Sequence, residues 1–175
     1  MKKIFISYAW ATGCWKSPIT NYISTKLWLP TFNTDAIRSE VTEDFLEFDV
    51  AEAKKRIKER LNLVIQQGNS FIYDASVDRT RWDLKEILIK NWYEFFIISI
   101  DLDKDMLLDF YKVKWYSESI KMIDKIYEDH ERFLEQFWND VNMHVNVENY
   151  KDRLENVYKK VSQRMNKFEA GKMVW

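Results

Sequence analysis

The stretch that decides the fold is "KIFISYAWATGCWKSPITNYISTKLWLPTFNTDAIRSEV", residues 3–41. Its first seven residues, KIFISYA, are a short and mostly apolar run, which predicts a buried strand. Residues 10–17 read as a loop. Residues 18–27 read as a helix, because Ile19, Ile23 and Leu27 recur at four-residue spacing and Tyr22 widens the same face. Pro18 suits a first helical turn, where no backbone donor is needed. A loop that follows a strand and ends in Lys-Ser at a helix start has the layout of a phosphate-binding loop. The full pattern is G-x-x-x-x-G-K-[ST]. Here the frame is Trp10-Ala11-Thr12-Gly13-Cys14-Trp15-Lys16-Ser17, with Lys16 and Ser17 in place and tryptophan at both terminal glycine positions.

Outward from this segment the chain alternates. "LPTFNTD" is a short extended piece. Residues 50–66 form a charged amphipathic helix with Ile57, Leu61, Val64 and Ile65 inward, ended by Gly68. Residues 70–76, "SFIYDAS", are a further strand, and residues 79–90 a helix. "YEFFIISID", residues 93–101, has the strongest strand character in the chain, rich in aromatic and branched residues. This β-α-β-α-β-α-β order argues an α/β fold: a three-layer sandwich with a parallel sheet of about four or five strands. After residue 102 the pattern turns helical, over 103–112, 117–137 and 146–165. On the last of these, Tyr150, Leu154, Val157, Val161 and Met165 share one side. The final ten residues are expected to fray. The expected organisation is a single domain over residues 1–168, with a helical lid near 103–126 and a tail at 169–175.

The 175 residues suffice for one domain with a sizeable core. A net charge of -1 implies no general attraction to nucleic acid or acidic membrane. The lone cysteine, Cys14, rules out an internal disulfide and any multi-cysteine zinc site. With no signal-peptide pattern and no long apolar run, the expectation is a cytoplasmic protein without membrane partners.

The chemistry of such a loop is specific. Backbone N–H groups and the helix N-terminus hold phosphates; Lys16 would neutralise β/γ oxygens and the Ser17 hydroxyl would bind Mg²⁺. The segment resembles the P-loop kinases that group with polynucleotide 5′-kinases and zeta-type toxins, an AAA-type kinase family. Such chains run strand, G-x-x-G-S-G-K-S-T, helix, L-G-L-P, then T-D-x-I-R. This one has "TGCWKSP", "KLWLP" and "NTDAIRSEV" at matching distances. The resemblance continues through "FIYDASVDRTRW", "WYEFFIISIDLDKDML" and "IYEDHERFLEQF", and covers roughly residues 3–160.

The resemblance implies ATP and Mg²⁺ as cofactors. Thr12, Gly13, Cys14, Trp15, Lys16, Ser17 and Pro18 would line the nucleotide phosphates. Ser17 and Asp74 would serve the metal, Asp74 through a bound water. Asp35 would be the general base toward an acceptor hydroxyl, and Arg38 would orient the acceptor. Arg79 and Arg81 are further candidates for substrate contact. The lid of these kinases usually supplies arginine; here Lys112 and Lys114 stand in that region, giving charge without the bidentate fork. Pro18 replaces the usual threonine. The implied activity is transfer of the γ-phosphate to a hydroxyl on a nucleic-acid 5′ end, a nucleoside or a sugar nucleotide. The acceptor and the oligomeric state are not legible. Two other readings are a catalytically dead P-loop module used for binding, and a toxin-like nucleotide-sugar kinase.

Each residue also has a plain structural reading. Asp35 could cap the helix at 36–41, Arg38 could be a solvated surface residue, and Asp74 a turn residue. His130 and His144 look isolated, with His130 read as structural. Tyr127, Phe133 and Phe137 read as core rather than a base-stacking platform.

The tryptophans are the anomaly. The chain has 3 glycines and 8 tryptophans, together eleven, against roughly 12 glycines expected at average usage. Trp10 and Trp15 fill loop glycine positions. Trp28 and Trp92 sit at helix ends, Trp115 in an inter-helix turn, and Trp138 after "EQF". All six are places where glycine has a backbone reason to stand, whereas Trp82 and Trp175 are uninformative. UGA is read as tryptophan in some genetic codes and as glycine in others, so one misread codon would explain the pattern. Decay of the loop would explain Trp10 and Trp15 but not Trp28 and Trp92. As written, with indoles beside the phosphates, the chain is expected to bind ATP poorly.

Overall fold

Seven residues at the N-terminal end, Lys3–Ala9, form strand β1, and its burial explains the architecture. Ile4, Ile6 and Tyr8 enter one core; Phe5 and Ala9 enter another on the opposite face. A strand buried on both faces needs cover on both, and parallel sheets meet that need with crossover helices. The computed structural model describes residues 3–9, 16–77, 83–115 and 117–170.

Five strands form one sheet in the order β2-β3-β1-β4-β5, with every pairing parallel. The others are β2 (Thr31–Phe32), β3 (Phe71–Ser76), β4 (Tyr93–Asp101) and β5 (Val141–Asn146). Helix α1 (Lys16–Leu27) links β1 to β2. Helices α2 (Thr34–Phe45) and α3 (Val50–Gln67) lie between β2 and β3, and α4 (Asp83–Lys90) precedes β4. Beyond β4 come α5 (Lys104–Val113), α6 (Ser117–Lys121), α7 (Ile123–Phe137) and, after β5, α8 (Arg153–Ala170). One core packs Ile19 and Ile23 of α1 with Leu107 and Tyr111 of α5 and Val157 and Val161 of α8. The other joins Ile37 of α2, Leu61 and Ile65 of α3 and Leu88 of α4. Helix α7 gives Ile123 and Ile126 to the first and Phe133 to the second. This is the expected three-layer α/β sandwich. No helix among the described residues is long and apolar enough to cross a membrane.

The differences from the sequence reading are local. Val141–Asn146, most of which the sequence pattern leaves unassigned, is a strand; it pairs with β4 from Ile97↔Val141 to Asp101↔Asn146. The last helix begins at Arg153, after a short 3-10 turn, and not at 146. It runs to Ala170, so much of the stretch expected to fray is helical. The proposed lid region contains α5, which is fixed into the core by fully buried Leu107 and Tyr111. Tyr127, Phe133 and Phe137 pack as core side chains, as expected.

Helix ends carry the most unusual backbone. Gly68 closes α3 at φ 73° and its N–H donates to Ile65 O at 3.1 Å. Among the described residues four that are not glycine also adopt left-handed φ: Trp28 at 54°, Leu46 at 58°, Trp92 at 63° and Trp115 at 58°. Trp138, which the sequence placed with them, is right-handed at φ -49°, and its indole stacks on His144 at 4.4 Å between ring centres. The glycine argument fails there, because that helix continues into a 3-10 turn and not into a left-handed cap. Trp10, Trp15, Trp82 and Trp175 lie outside the described residues.

A left-handed L-residue costs about 1–2 kcal/mol. Trp28→Gly and Trp92→Gly are each expected to stabilise the fold by about 1 kcal/mol. Trp138→Gly is expected to destabilise it, since it removes a stacked ring and loosens a helical turn. Urea unfolding of the three single variants checks the signs.

Candidate phosphate and acceptor site

At the carboxyl edge of the sheet, β1 and β3 end side by side and α1 begins. Strand order changes direction across β1, which is where open parallel sheets bind ligands. Helix α1 opens with Lys16 and Ser17 and has no acidic residue in its first turn. The partial positive charge of its N-terminus is therefore unneutralised from within the helix, a setting suited to an anion.

Buried hydroxyls fix this helix to the strands. Tyr8, fully buried on β1, shares a 2.7 Å hydrogen bond with Thr20 Oγ1. Thr20 donates to Asp74 Oδ1 at 3.2 Å. Lys16 Nζ reaches across to Ser76 Oγ at 2.9 Å. Ser7 Oγ donates to Ala75 O at 2.9 Å, and Val77 N to Tyr8 O at 2.7 Å. Lys16, Thr20, Asp74 and Ser76 thus form one cluster drawn from α1 and β3. Burial pushes the Asp74 carboxyl up, against the opposing pull of Lys16 and the Thr20 hydrogen bond; Asp35 adds a further upward push.

Asp35 and Arg38 approach from α2. They pair at 3.5 Å, and both are exposed, at 80% and 57%. The helix is capped by Asn33, whose side chain accepts from Asp35 N and Ala36 N. The capping role considered for Asp35 therefore belongs to Asn33, and the Asp35 carboxyl points to solvent with Arg38. The Arg38 charge is felt at Tyr73 on β3, where burial pushes the phenol up and Arg38 opposes it. Phe32, two residues before α2, pairs with Tyr73 of β3, which brings the start of α2 to the carboxyl half of β3. Helix α2 is in turn held to α3 by Arg56, which reaches Glu40 at 2.7 Å, and by Arg60, which reaches the same carboxylate at 2.5 Å. Those partners, Arg60 foremost, hold Glu40 down to about 2.

Ser17 is exposed and Pro18 half-buried in the first turn of α1. Thr12, Gly13, Cys14, Trp15, Arg79 and Arg81 lie outside the described residues. Lys112 pairs with Asp109 of its own helix at 3.0 Å, and Lys114 caps that helix. Thr20 and Ser76 were missed in the sequence. Both had a signal: Thr20 lies one helical turn after Lys16, and Ser76 shares a strand face with Asp74.

A second polar cluster closes the far end of β4. His130 Nε2 and His144 Nδ1 both reach the Asp101 carboxylate, at 3.0 Å and 2.6 Å, and Ser99 Oγ donates to it as well. The two histidines are therefore joined through one acid and are not isolated. Burial pushes the Asp101 carboxyl up, but these hydrogen bonds outweigh it and hold it below the usual range. The cluster borders a cleft of about 550 Å³ that Tyr127, Lys104 and Glu148 also line.

No protein-family model matches the chain, and no curated protein matches it in sequence. Solved structures do. APS kinase from Mycobacterium tuberculosis, in complex with AMPPNP and APS, matches at TM-score 0.64 and 12% identity over 92% of this chain and 98% of that one. Gluconokinase from Sinorhizobium meliloti matches at 0.63 and 10% identity over 97% of each. Shikimate kinase from Bacteroides thetaiotaomicron matches at 0.59 and 15% identity over 94% and 98%. The fold is that of the P-loop kinases. In this P-loop kinase fold the cluster of Lys16, Thr20, Asp74 and Ser76 stands at the carboxyl edge of the sheet, beside the first helix.

Asp74 and Asp101 are expected to respond to pH in opposite senses. A carboxyl raised on folding contributes least stability at neutral pH, so Asp74→Asn should raise the melting temperature there and leave it nearly unchanged below about pH 4. A carboxyl lowered on folding contributes stability above its unfolded value, which is lost in acid. Asp101→Asn should therefore cost about 1–3 kcal/mol at pH 7 and less toward pH 3. Thermal melts of both variants from pH 3 to pH 7 check this.

Proposed function

We propose that the protein is an ATP-dependent phosphotransferase that moves the terminal phosphate to a hydroxyl of a small-molecule acceptor. The observation that carries this reading is the convergence of Lys16 at the N-terminus of α1 with Asp74 and Ser76 at the end of β3. Helix α2, bearing Asp35 and Arg38, begins two residues after Phe32, which pairs with Tyr73 of β3. Kinases of small acceptors among the structural neighbours favour such an acceptor over a nucleic-acid end.

The roles follow from charge and position. Lys16 neutralises phosphate oxygens over the helix N-terminus. Asp35 accepts the proton of the acceptor hydroxyl as that oxygen bonds to the terminal phosphorus, while the bond from that phosphorus to the bridging oxygen breaks and ADP leaves. Arg38, one turn further along α2 and paired with Asp35, orients the acceptor. Arg79, Arg81, Lys112 and Lys114 are the remaining cationic candidates around substrate. The donor set near Lys16 also suits Mg²⁺. The Ser17 hydroxyl and the Asp74 carboxylate are hard oxygen donors, few in number, as expected where phosphates and waters complete the shell. Bound there, Mg²⁺ would supply charge neutralisation on the phosphates. Positive charge there would offset the burial that pushes the Asp74 carboxyl up.

A module that binds without catalysis is disfavoured by the grouping of Asp35, Arg38 and Asp74 around one strand end, since a decayed enzyme has no reason to keep all three.

ADP release is the direct test, using the Trp10→Gly/Trp15→Gly chain against sugars, sugar nucleotides, nucleosides and 5′-hydroxyl oligonucleotides. Turnover with a small acceptor is expected. Lys16→Ala should then lower kcat by about 10²–10³-fold. Asp35→Asn should lower it by about 10²–10⁴-fold with ATP affinity kept, and Asp74→Asn by about 10–100-fold. Full activity in Asp35→Asn would remove it as the base, and absence of ATP binding in the parent would end the phosphotransferase reading.

A further inference from the structure

Among the described residues four are tryptophan, and three of those four stand at left-handed backbone. Trp28, Trp92 and Trp115 have φ of 54°, 63° and 58°. That region is open to glycine and strained for a bulky L-residue. The three follow different helices, α1, α4 and α5.

Each also performs the hydrogen bonding of a glycine cap. Gly68 N donates to Ile65 O at 3.1 Å at the end of α3. Trp92 N donates to Ile89 O at 3.0 Å, and Trp115 N to Lys112 O at 3.2 Å, each with the same three-residue reach. At Trp28 the next residue closes the motif, Leu29 N donating to Ser24 O at 3.3 Å. That is the six-to-one bond of a Schellman cap whose left-handed residue is ordinarily glycine.

The side chains point the same way. Trp28, Trp92 and Trp115 are 91%, 75% and 90% exposed. Tryptophan is retained in proteins for the area its ring buries, and these rings bury little. Trp138 supplies the internal contrast, with right-handed backbone and its ring stacked on His144. It has a use for an indole and none for glycine. Leu46 shows that the fold also tolerates a left-handed side chain elsewhere. A single strained position would therefore decide nothing. The weight lies in one rare residue type filling three such positions and showing no use for its side chain at any of them.

We infer that the polypeptide made in the source cell carries glycine at positions 28, 92 and 115, the codon translated here as tryptophan being a UGA that the cell reads as glycine. The same codon at positions 10 and 15 would complete the G-x-x-x-x-G-K-S pattern ahead of Lys16. That consequence for nucleotide binding rests on the phosphotransferase reading. The inference at 28, 92 and 115 does not, since it stands on backbone geometry alone.

Sequencing the gene, with peptide mass spectrometry of the protein from its own cells, tests it. UGA at 28, 92 and 115, UGG at 138, and glycine in the three native peptides are expected. UGG at any of the three positions, or tryptophan in a native peptide, would overturn it. Independently, the Trp28→Gly/Trp92→Gly/Trp115→Gly chain is expected to melt roughly 5–10 °C higher than the chain as written; a lower melting temperature would also overturn it. Calorimetry with ATP on the chain that adds Trp10→Gly and Trp15→Gly separates the two ideas. Glycine peptides without ATP binding would leave the codon assignment standing and remove the kinase.

Discussion

The hydroxyl of Tyr8 lies under α1, completely buried, and buried hydroxyls must be hydrogen-bonded or they destabilise the fold. Its bond to Thr20, and the bond from Thr20 to Asp74, tie the first helix to two adjacent strands at the carboxyl edge of the sheet. With α1 fixed in rotation, Lys16 faces Ser76. Moving Thr20 around the helix would strand Tyr8 and turn Lys16 away together. The position of the cation is therefore set by core satisfaction and does not depend on a bound anion.

Around that anchor, the other groups are held with graded rigidity. Asp74 sits on a central strand and shares its fixity. Asp35 and Arg38 sit on α2, which the α3 guanidinium groups brace through Glu40 at the surface. Exposed ion pairs of this kind are weak and salt-screened. Lys16, Thr20 and Asp74 are thus held more stiffly than Asp35 and Arg38.

Much of this was legible in the sequence because it is local. β1 and β4 declare themselves as continuous apolar runs, and α3 by its spacing and Gly68. Lys16 and Ser17 were placed by the strand, loop and helix around them, whereas Asp35, Arg38 and Asp74 were singled out only through the resemblance to P-loop kinases. β5 was legible and overlooked: "VNMHVN" alternates apolar and polar residues, the period of a half-buried strand, but it is short and lies between two strongly helical stretches. The cap of α2 was ambiguous because Asn33 and Asp35, two residues apart, are both good caps and only backbone geometry separates them. The cluster at Asp101 was invisible because its histidines lie 29 and 43 residues away in the chain. Trp138 was misread because a 3-10 continuation and a glycine cap look alike in one dimension.

The left-handed helix ends at 28, 92 and 115 also bear on where this gene can be active. Most cells take UGA as a stop. If those three positions are that codon, such a cell would translate the message no further than Leu27 and release a peptide holding only the first strand and the first helix. Acquired by a neighbour with the standard code, the gene would be silent from the moment of entry. Its spread would then be confined to lineages that share the altered decoding, whatever benefit its product confers.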